Sequence, residues 1–135
     1  MLAAPVGAVT YKAIALVVEA AVPPTTVKAV EEEIRKELIG VPDDYYEGID
    51  RKQFKIFKGQ GCEKCGHTGY LGRFGIFEVL PATTEIQDLI LAKAPAHKIY
   101  EVAQKIGMIT LKQDGIIKAL KGQTTIDEVI RVTTE

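Results

Sequence analysis

Two thiols three positions apart, Cys62 and Cys65, are the only cysteines in the 135-residue chain. A C-x-x-C spacing lets one tight turn aim both sulfurs at a single metal ion. The surrounding stretch, GCEKCGHTGYLGRFGIFEVL over 61–80, is dense in glycine, at 59, 61, 66, 69, 72 and 75. Such residues permit left-handed backbone and let amides approach a sulfur. Three readings of the pair follow: half of a zinc knuckle, a redox dithiol, or two free thiols with no chemistry. A redox pair is expected at a helix N-terminus, where the dipole lowers a thiol pKa, but the residues after Cys65 interrupt helix. A structural zinc ion asks for four ligands. The other two would have to come from His67, an acidic side chain such as Glu63, or the same cysteine pair of a second copy. His67 is poorly aimed for this and reads as a surface histidine. His97 falls early in a helix and reads as exposed.

Other chemistry finds no residues to carry it. Nothing matches G-x-x-x-x-G-K-[ST], and the glycines at 59–72 do not precede a helix, so no phosphate loop is expected. The chain contains no serine and only two histidines, which leaves no nucleophilic triad. Asp114, Asp127 and Glu128 read as helix-surface and capping residues, and Glu31, Glu32 and Glu33 as a solvated helix face. With 17 basic and 18 acidic side chains the net charge is −1, so no electrostatic footprint for nucleic acid exists. Two cysteines are too few for a secreted disulfide scaffold, and a cytoplasmic location is expected.

The elements that must position the knuckle are legible from periodicity. Residues 1–22 are apolar, but Lys12 interrupts them. The uncharged run Ala13–Val18 is far short of the ~20 residues that span a bilayer, so this reads as a buried strand or helix, or as a boundary whose natural context is cut away, not a membrane span. Pro23 and Pro24 open a helix with Thr25 or Thr26 as cap; Val27, Val30, Ile34 and Leu38 line one face, and Gly40 stops it. Residues 54–58 alternate at period two and predict a strand. A second strand is predicted at 73–80, making the knuckle the tip of a hairpin. Beyond Thr83 the pattern turns helical, with capping boxes at Thr84-x-x-Gln87, Thr110-x-x-Gln113 and Thr125-x-x-Glu128. Four apolar stripes follow: Ile86, Leu89 and Ile90; Ile99, Val102, Ala103 and Ile106; Leu111, Ile116, Ile117 and Leu120; Ile126, Val129 and Ile130. Gly107 and Gly122 fall where helices should stop. The expected fold is α+β: an apolar segment (1–22), a helix with a two-stranded hairpin and C-x-x-C knuckle (23–80), and a C-terminal bundle of about four helices (81–135).

The string GC-x-x-C-x-x-TGY-x-GR-x-GI-x-E, Gly61 to Glu78, resembles the C-terminal part of type II secretion and type IV pilus assembly ATPases. The likeness continues through Gly107-Met108, Thr110-Leu111, Asp114-Gly115, Gly122, Thr124-Thr125, Glu128-Val129 and Arg131-Val132-Thr133. It implies the tail of a hexameric motor on the cytoplasmic face of the inner membrane. This tail comprises a metal-binding module plus C-terminal helices without the Walker-bearing core, so the chain itself is expected to bind no nucleotide and to be no enzyme. The implied partners are the ATPase core, neighbouring subunits and an inner-membrane platform protein. The competing classes are an independent zinc-knuckle binding module of chaperone type, which usually repeats its C-x-x-C-x-G element, and a thiol oxidoreductase using Cys62 and Cys65.

Two departures from that family pattern stand out. Its metal module usually has four cysteines, and counting back from Pro23 the first pair would fall near Ile14 and Val17. Residues 1–22 also lack the basic approach to the module. The knuckle is therefore expected to hold without metal, through hairpin hydrogen bonds, burial of Ile76 and Val79, and an apolar contact from Ile14 and Val17.

Overall fold

A computed structural model describes residues 24–59 and 61–134. The expectations placed on residues 1–22, including the contact from Ile14 and Val17, lie outside the described residues. Among the described residues five helices carry the fold: α1 (Pro24–Glu37), α2 (Thr84–Leu91), α3 (Ala96–Lys105), α4 (Leu111–Leu120) and α5 (Ile126–Thr133). Two single 3₁₀ turns, Asp43–Tyr46 and Glu63–Cys65, punctuate the irregular stretch between α1 and α2.

The helices follow most of their apolar stripes into two cores, while Ile90, Ile106, Leu111 and Ile130 stay exposed. Ile34 and Leu38 of α1 meet Ile116, Ile117, Ala119 and Leu120 of α4 and Ile126 and Val129 of α5, joined by Val41, Tyr46, Phe54 and Ile109 from the connections. A smaller core joins Ile86 of α2 to Ala103 of α3 and Met108, with Ile99 and Val102 at its margin. Gly115 lies in the middle of α4 at a cost of about 1 kcal/mol in helix propensity relative to alanine. A Cβ there would stand 2.7 Å from Val129 Cγ1, so the glycine is what allows α5 to approach. Gly115→Ala is expected to gain propensity yet lose about 1–3 kcal/mol to overpacking. In the Val129→Ala background the same change should instead stabilise, and a double-mutant cycle with no coupling would refute this account of the seam.

The loop 41–53 is held by cations lying on rings. The Arg35 guanidinium donates to the carbonyls of Arg51 (2.7 Å) and Lys52 (2.9 Å) and covers Phe54 at 4.5 Å. Arg51 covers Tyr46 at 4.4 Å while pairing with Asp43 at 2.6 Å. Tyr46 in turn donates its hydroxyl to the Leu38 carbonyl (3.2 Å), and burial raises its phenol pKa.

Helix ends obey the expected chemistry with two shifts. Thr110 and Gln113 form the reciprocal box at α4. Thr125 caps α5 through the Glu128 amide, but the Glu128 carboxylate turns to Arg131 and its pKa is lowered by that contact. At α2 the cap is Thr83, whose hydroxyl accepts from Ile86 N, and Thr84 is already helical. Thr25 and Thr26 likewise lie inside α1, which begins at Pro24. Gly40, Gly107 and Gly122 take the left-handed backbone that stops α1, α3 and α4. The same position after α2 is filled by Lys93, at φ 50°. There the amides of Lys93 and Ala94 return to the carbonyls of Ile90 (3.0 Å) and Leu89 (2.9 Å). A side-chain-bearing residue in this conformation costs ~1–2 kcal/mol, of which glycine gives back part through its greater unfolded-chain entropy. Lys93→Gly is expected to stabilise by about 0.5–1 kcal/mol, read from the denaturant midpoint; a lower midpoint would contradict it.

The hairpin is not there. Among the described residues no strand forms, and residues 54–58 and 73–80 are irregular, with no ladder between them. The fold is helical, with irregular connections in place of the expected α+β hairpin. Backbone polar groups of the second run are met by side chains of α4 instead of by a neighbouring strand. Asp114 Oδ2 accepts from Phe77 N (2.8 Å), Lys118 Nζ donates to the Gly75 carbonyl (2.8 Å), and Glu78 Oε2 accepts from Leu111 N at the start of α4 (3.0 Å). Lys118 also pairs with Asp114 and sits 5.0 Å from the Phe77 ring centroid. Ile76 is half-buried, but Val79 is 69% exposed, so the burial expected to hold the knuckle is only partly present.

Candidate functional site: the Cys62–Cys65 knuckle

The glycines earn their place through close approach. A Cβ on Gly61 would lie 2.4 Å from the His67 carbonyl oxygen, and one on Gly59 would lie 3.0 Å from that of Gly69. The two arms of the loop therefore touch backbone to backbone. Between them Cys62 enters extended and Glu63–Cys65 forms the 3₁₀ turn. Gly66 (φ 60°) and His67 (φ 62°) then reverse the chain in left-handed conformation. The Cys62 carbonyl accepts from Cys65 N (3.2 Å) and His67 N (2.9 Å), and Thr68 closes the loop by donating its hydroxyl to the Cys65 carbonyl (2.7 Å).

This path brings the two sulfurs to 3.6 Å. Cys65 Sγ accepts from the amides of Cys62 (3.1 Å) and Gly69 (3.3 Å). Those two donors, Cys62 first, favour the thiolate and lower the Cys65 pKa to about 7. The alkylation rate of Cys65 should therefore rise with a midpoint near pH 7 in the Cys62→Ser variant, which keeps both amides and leaves Cys65 as the single thiol. In urea the midpoint should return towards the ordinary thiol value of ~8.5. Because the folded-state pKa is depressed, the thiolate's support for the knuckle is present above the unfolded thiol value and fades as pH falls through about 7.

The structure brings together Cys62 and Cys65 and leaves the other expected donors apart. His67, Glu63 and His97 are exposed, and among the described residues no three of His, Cys, Asp or Glu gather into a metal-binding group. Half a tetrahedral donor set fits a metal; the other half is not supplied by the described residues. The knuckle is tied to the helices by Tyr70, whose hydroxyl meets Thr125 Oγ1 at 2.8 Å, at the cap of α5. Sequence reading missed that link and the tethering role of Asp114. The i,i+4 spacing of Asp114 and Lys118 was the only signal, and it describes any exposed helix pair.

Among the described residues no helix is long and apolar enough to cross a membrane. The chain is similar to the type IV pilus assembly ATPase PilB of Thermus thermophilus, 48% identical over 81 residues, covering 60% of this chain and 9% of that protein. It is also similar to PilB of Acinetobacter baylyi, 37% identical over 89 residues, with 66% and 15% covered. The type II secretion system protein E of Xanthomonas campestris pv. campestris is 46% identical over 68 residues, with 50% and 12% covered. The chain thus spans less than a fifth of the length of these relatives. Residues 13–131 match the family described as "Type II/IV secretion system protein". On that match the chain belongs to the type II/IV secretion system protein family.

Proposed function

We propose that the chain serves as a C-terminal, non-catalytic part of a secretion or pilus assembly motor. There it contributes to subunit packing and couples ATP hydrolysis to movement of pilin or pseudopilin subunits. The observation that supports this most is the family membership of a chain whose relatives are named as pilus assembly ATPases. The chain itself carries no phosphate-cradling loop, consistent with a segment that acts on a nucleotide site elsewhere. Its partners in this reading are the ATPase core, neighbouring subunits of a hexamer and an inner-membrane platform protein, with the chain on the cytoplasmic side. The irregular run 70–80 presents Leu71, Phe74, Phe77, Val79 and Leu80 to solvent, a concentration of exposed apolar surface suited to contact with such a core.

A chimera tests the proposal. Residues 24–135 would replace the matching stretch of the Thermus thermophilus PilB relative, with ATP turnover and pilus assembly measured in parallel. Assembly by the chimera, with no ATP turnover by the isolated chain, is the expected result. ATP hydrolysis by the purified chain alone, or a folded chimera that neither turns over ATP nor assembles pili, would overturn it. The thiol-redox alternative draws on the lowered Cys65 pKa. Disulfide reductase activity lost in Cys62→Ala would favour it.

A further inference from the structure

The turn that shapes the knuckle leaves two thiols facing each other. Cys62 enters extended, the 3₁₀ turn Glu63–Cys65 follows, and Gly66 reverses the chain at φ 60°. The Cys62 thiol donates to Cys65 Sγ at 3.6 Å. Both cysteines are free; Cys62 is exposed and Cys65 partly covered. On either side of the turn the arms meet in backbone contact: a Cβ on Gly61 would lie 2.4 Å from the His67 carbonyl oxygen, and one on Gly69 2.8 Å from the Gly59 carbonyl carbon. That contact, with the bonds from Cys65 N (3.2 Å) and His67 N (2.9 Å) to the Cys62 carbonyl, fixes the turn without help from the sulfurs. A disulfide bond is ~2.05 Å long, so the sulfurs need to close by about 1.6 Å, a shift that side-chain rotation supplies. Among the described residues no third His, Cys, Asp or Glu gathers with the pair. Each sulfur has the other as its reactive neighbour.

We propose that Cys62 and Cys65 are a reversible redox modification site, closing to an intramolecular disulfide by exchange with a low-molecular-weight disulfide of the glutathione class. Cys62, the more exposed thiol, releases its proton to solvent and attacks one sulfur of that reagent. The reagent's S–S bond breaks, one half leaves as a thiolate, and Cys62 carries the other half as a mixed disulfide. Cys65 Sγ, its own proton lost to solvent, then attacks Cys62 Sγ and displaces that second half. The two released thiolates take up the two protons. The cysteine pair is thus oxidised by two electrons and the reagent reduced to two thiols, and excess thiol runs the same steps backwards. The amides of Cys62 (3.1 Å) and Gly69 (3.3 Å) that donate to Cys65 Sγ hold it beside Cys62 for the second attack. This is a stoichiometric modification of the chain, distinct from turnover by a thiol oxidoreductase and independent of the motor proposal.

The test exposes the fully reduced chain, with a chelator present, to oxidised glutathione and quenches samples in acid for intact-mass analysis. The chain should lose the mass of two hydrogens, keep no maleimide-reactive thiol and remain a monomer on a sizing column without reductant. Excess reduced glutathione should restore both thiols. Cys65→Ser should instead stop at a single glutathione adduct on Cys62. In the folded wild-type chain that adduct should decay at least about tenfold faster than in concentrated urea, where the turn no longer positions the second sulfur. Disulfide-linked dimers, a lasting glutathione adduct on the wild-type chain, thiols that stay reduced, or equal decay in urea would each overturn it.

Discussion

Gly61→Ala is expected to open the cysteine knuckle while leaving the helical cores in place. The added methyl would stand 2.4 Å from the His67 carbonyl oxygen, and a backbone atom has no rotamer with which to escape. Overpacking costs of about 1–3 kcal/mol are usual where neighbours can relax, and the rigidity of this contact places the cost at the upper end. Little opposes the opening, because residues 61–64 and 66–68 are exposed and, among the described residues, neither buried core includes a residue of the loop. Two readouts should move together: the Cys65 alkylation midpoint rises from about 7 towards the ordinary thiol value, and amide exchange over 61–69 accelerates. Protection in α4 and α5 should persist. An unchanged alkylation midpoint would show that the arms can separate without disturbing the amides that face Cys65 Sγ.

Which parts of this arrangement were legible in the sequence follows from what each signal measures. Helix stripes report burial on one face, and Ile34, Leu38, Ile116, Ile117, Leu120 and Val129 are buried as their spacing required. Stop signals report backbone conformation, and Gly40, Gly107 and Gly122 take positive φ for that reason. The period-two runs at 54–58 and 73–80 report only that alternate residues prefer opposite sides of an extended chain. They do not say what will pair with it, and here the α4 side chains Asp114 and Lys118 meet the backbone of the second run, whose Glu78 in turn accepts from the first amide of α4. The strands do not form because a ladder needs a neighbour at hydrogen-bonding distance, and among the described residues no backbone hydrogen bond joins 54–58 to 73–80. The C-x-x-C spacing brought two sulfurs together as it should. The Tyr70–Thr125 hydroxyl contact, across 55 residues, has no local pattern to betray it. Thr83 displaced Thr84 as the cap because both carry the same hydroxyl, and one-residue shifts at helix ends lie below what spacing resolves.

Ile86→Ala should unfold the α2–α3 hairpin locally before it unfolds the molecule. Ile86 is fully buried, and its partners are few: Ala103 and Met108 within the small core, with Ile99 and Val102 partly covered. Removing three carbons from such a site costs about 2–5 kcal/mol, with the larger values where the cavity does not collapse. Ala103 is too small to fill the space. The larger core of α1, α4 and α5 shares no buried residue with this cluster. Exposed Ile90 and Leu91 already present apolar surface on α2, so little additional burial resists opening. Hydrogen exchange by residue is the measurement that separates the alternatives. Amides of 84–108 should lose protection by a factor of about 30 or more, the exchange equivalent of 2 kcal/mol, while those of 112–120 and 127–133 keep theirs. A uniform loss across all five helices would mean that the two cores unfold as one cooperative unit, with α2 and α3 contributing to the stability of α4 and α5.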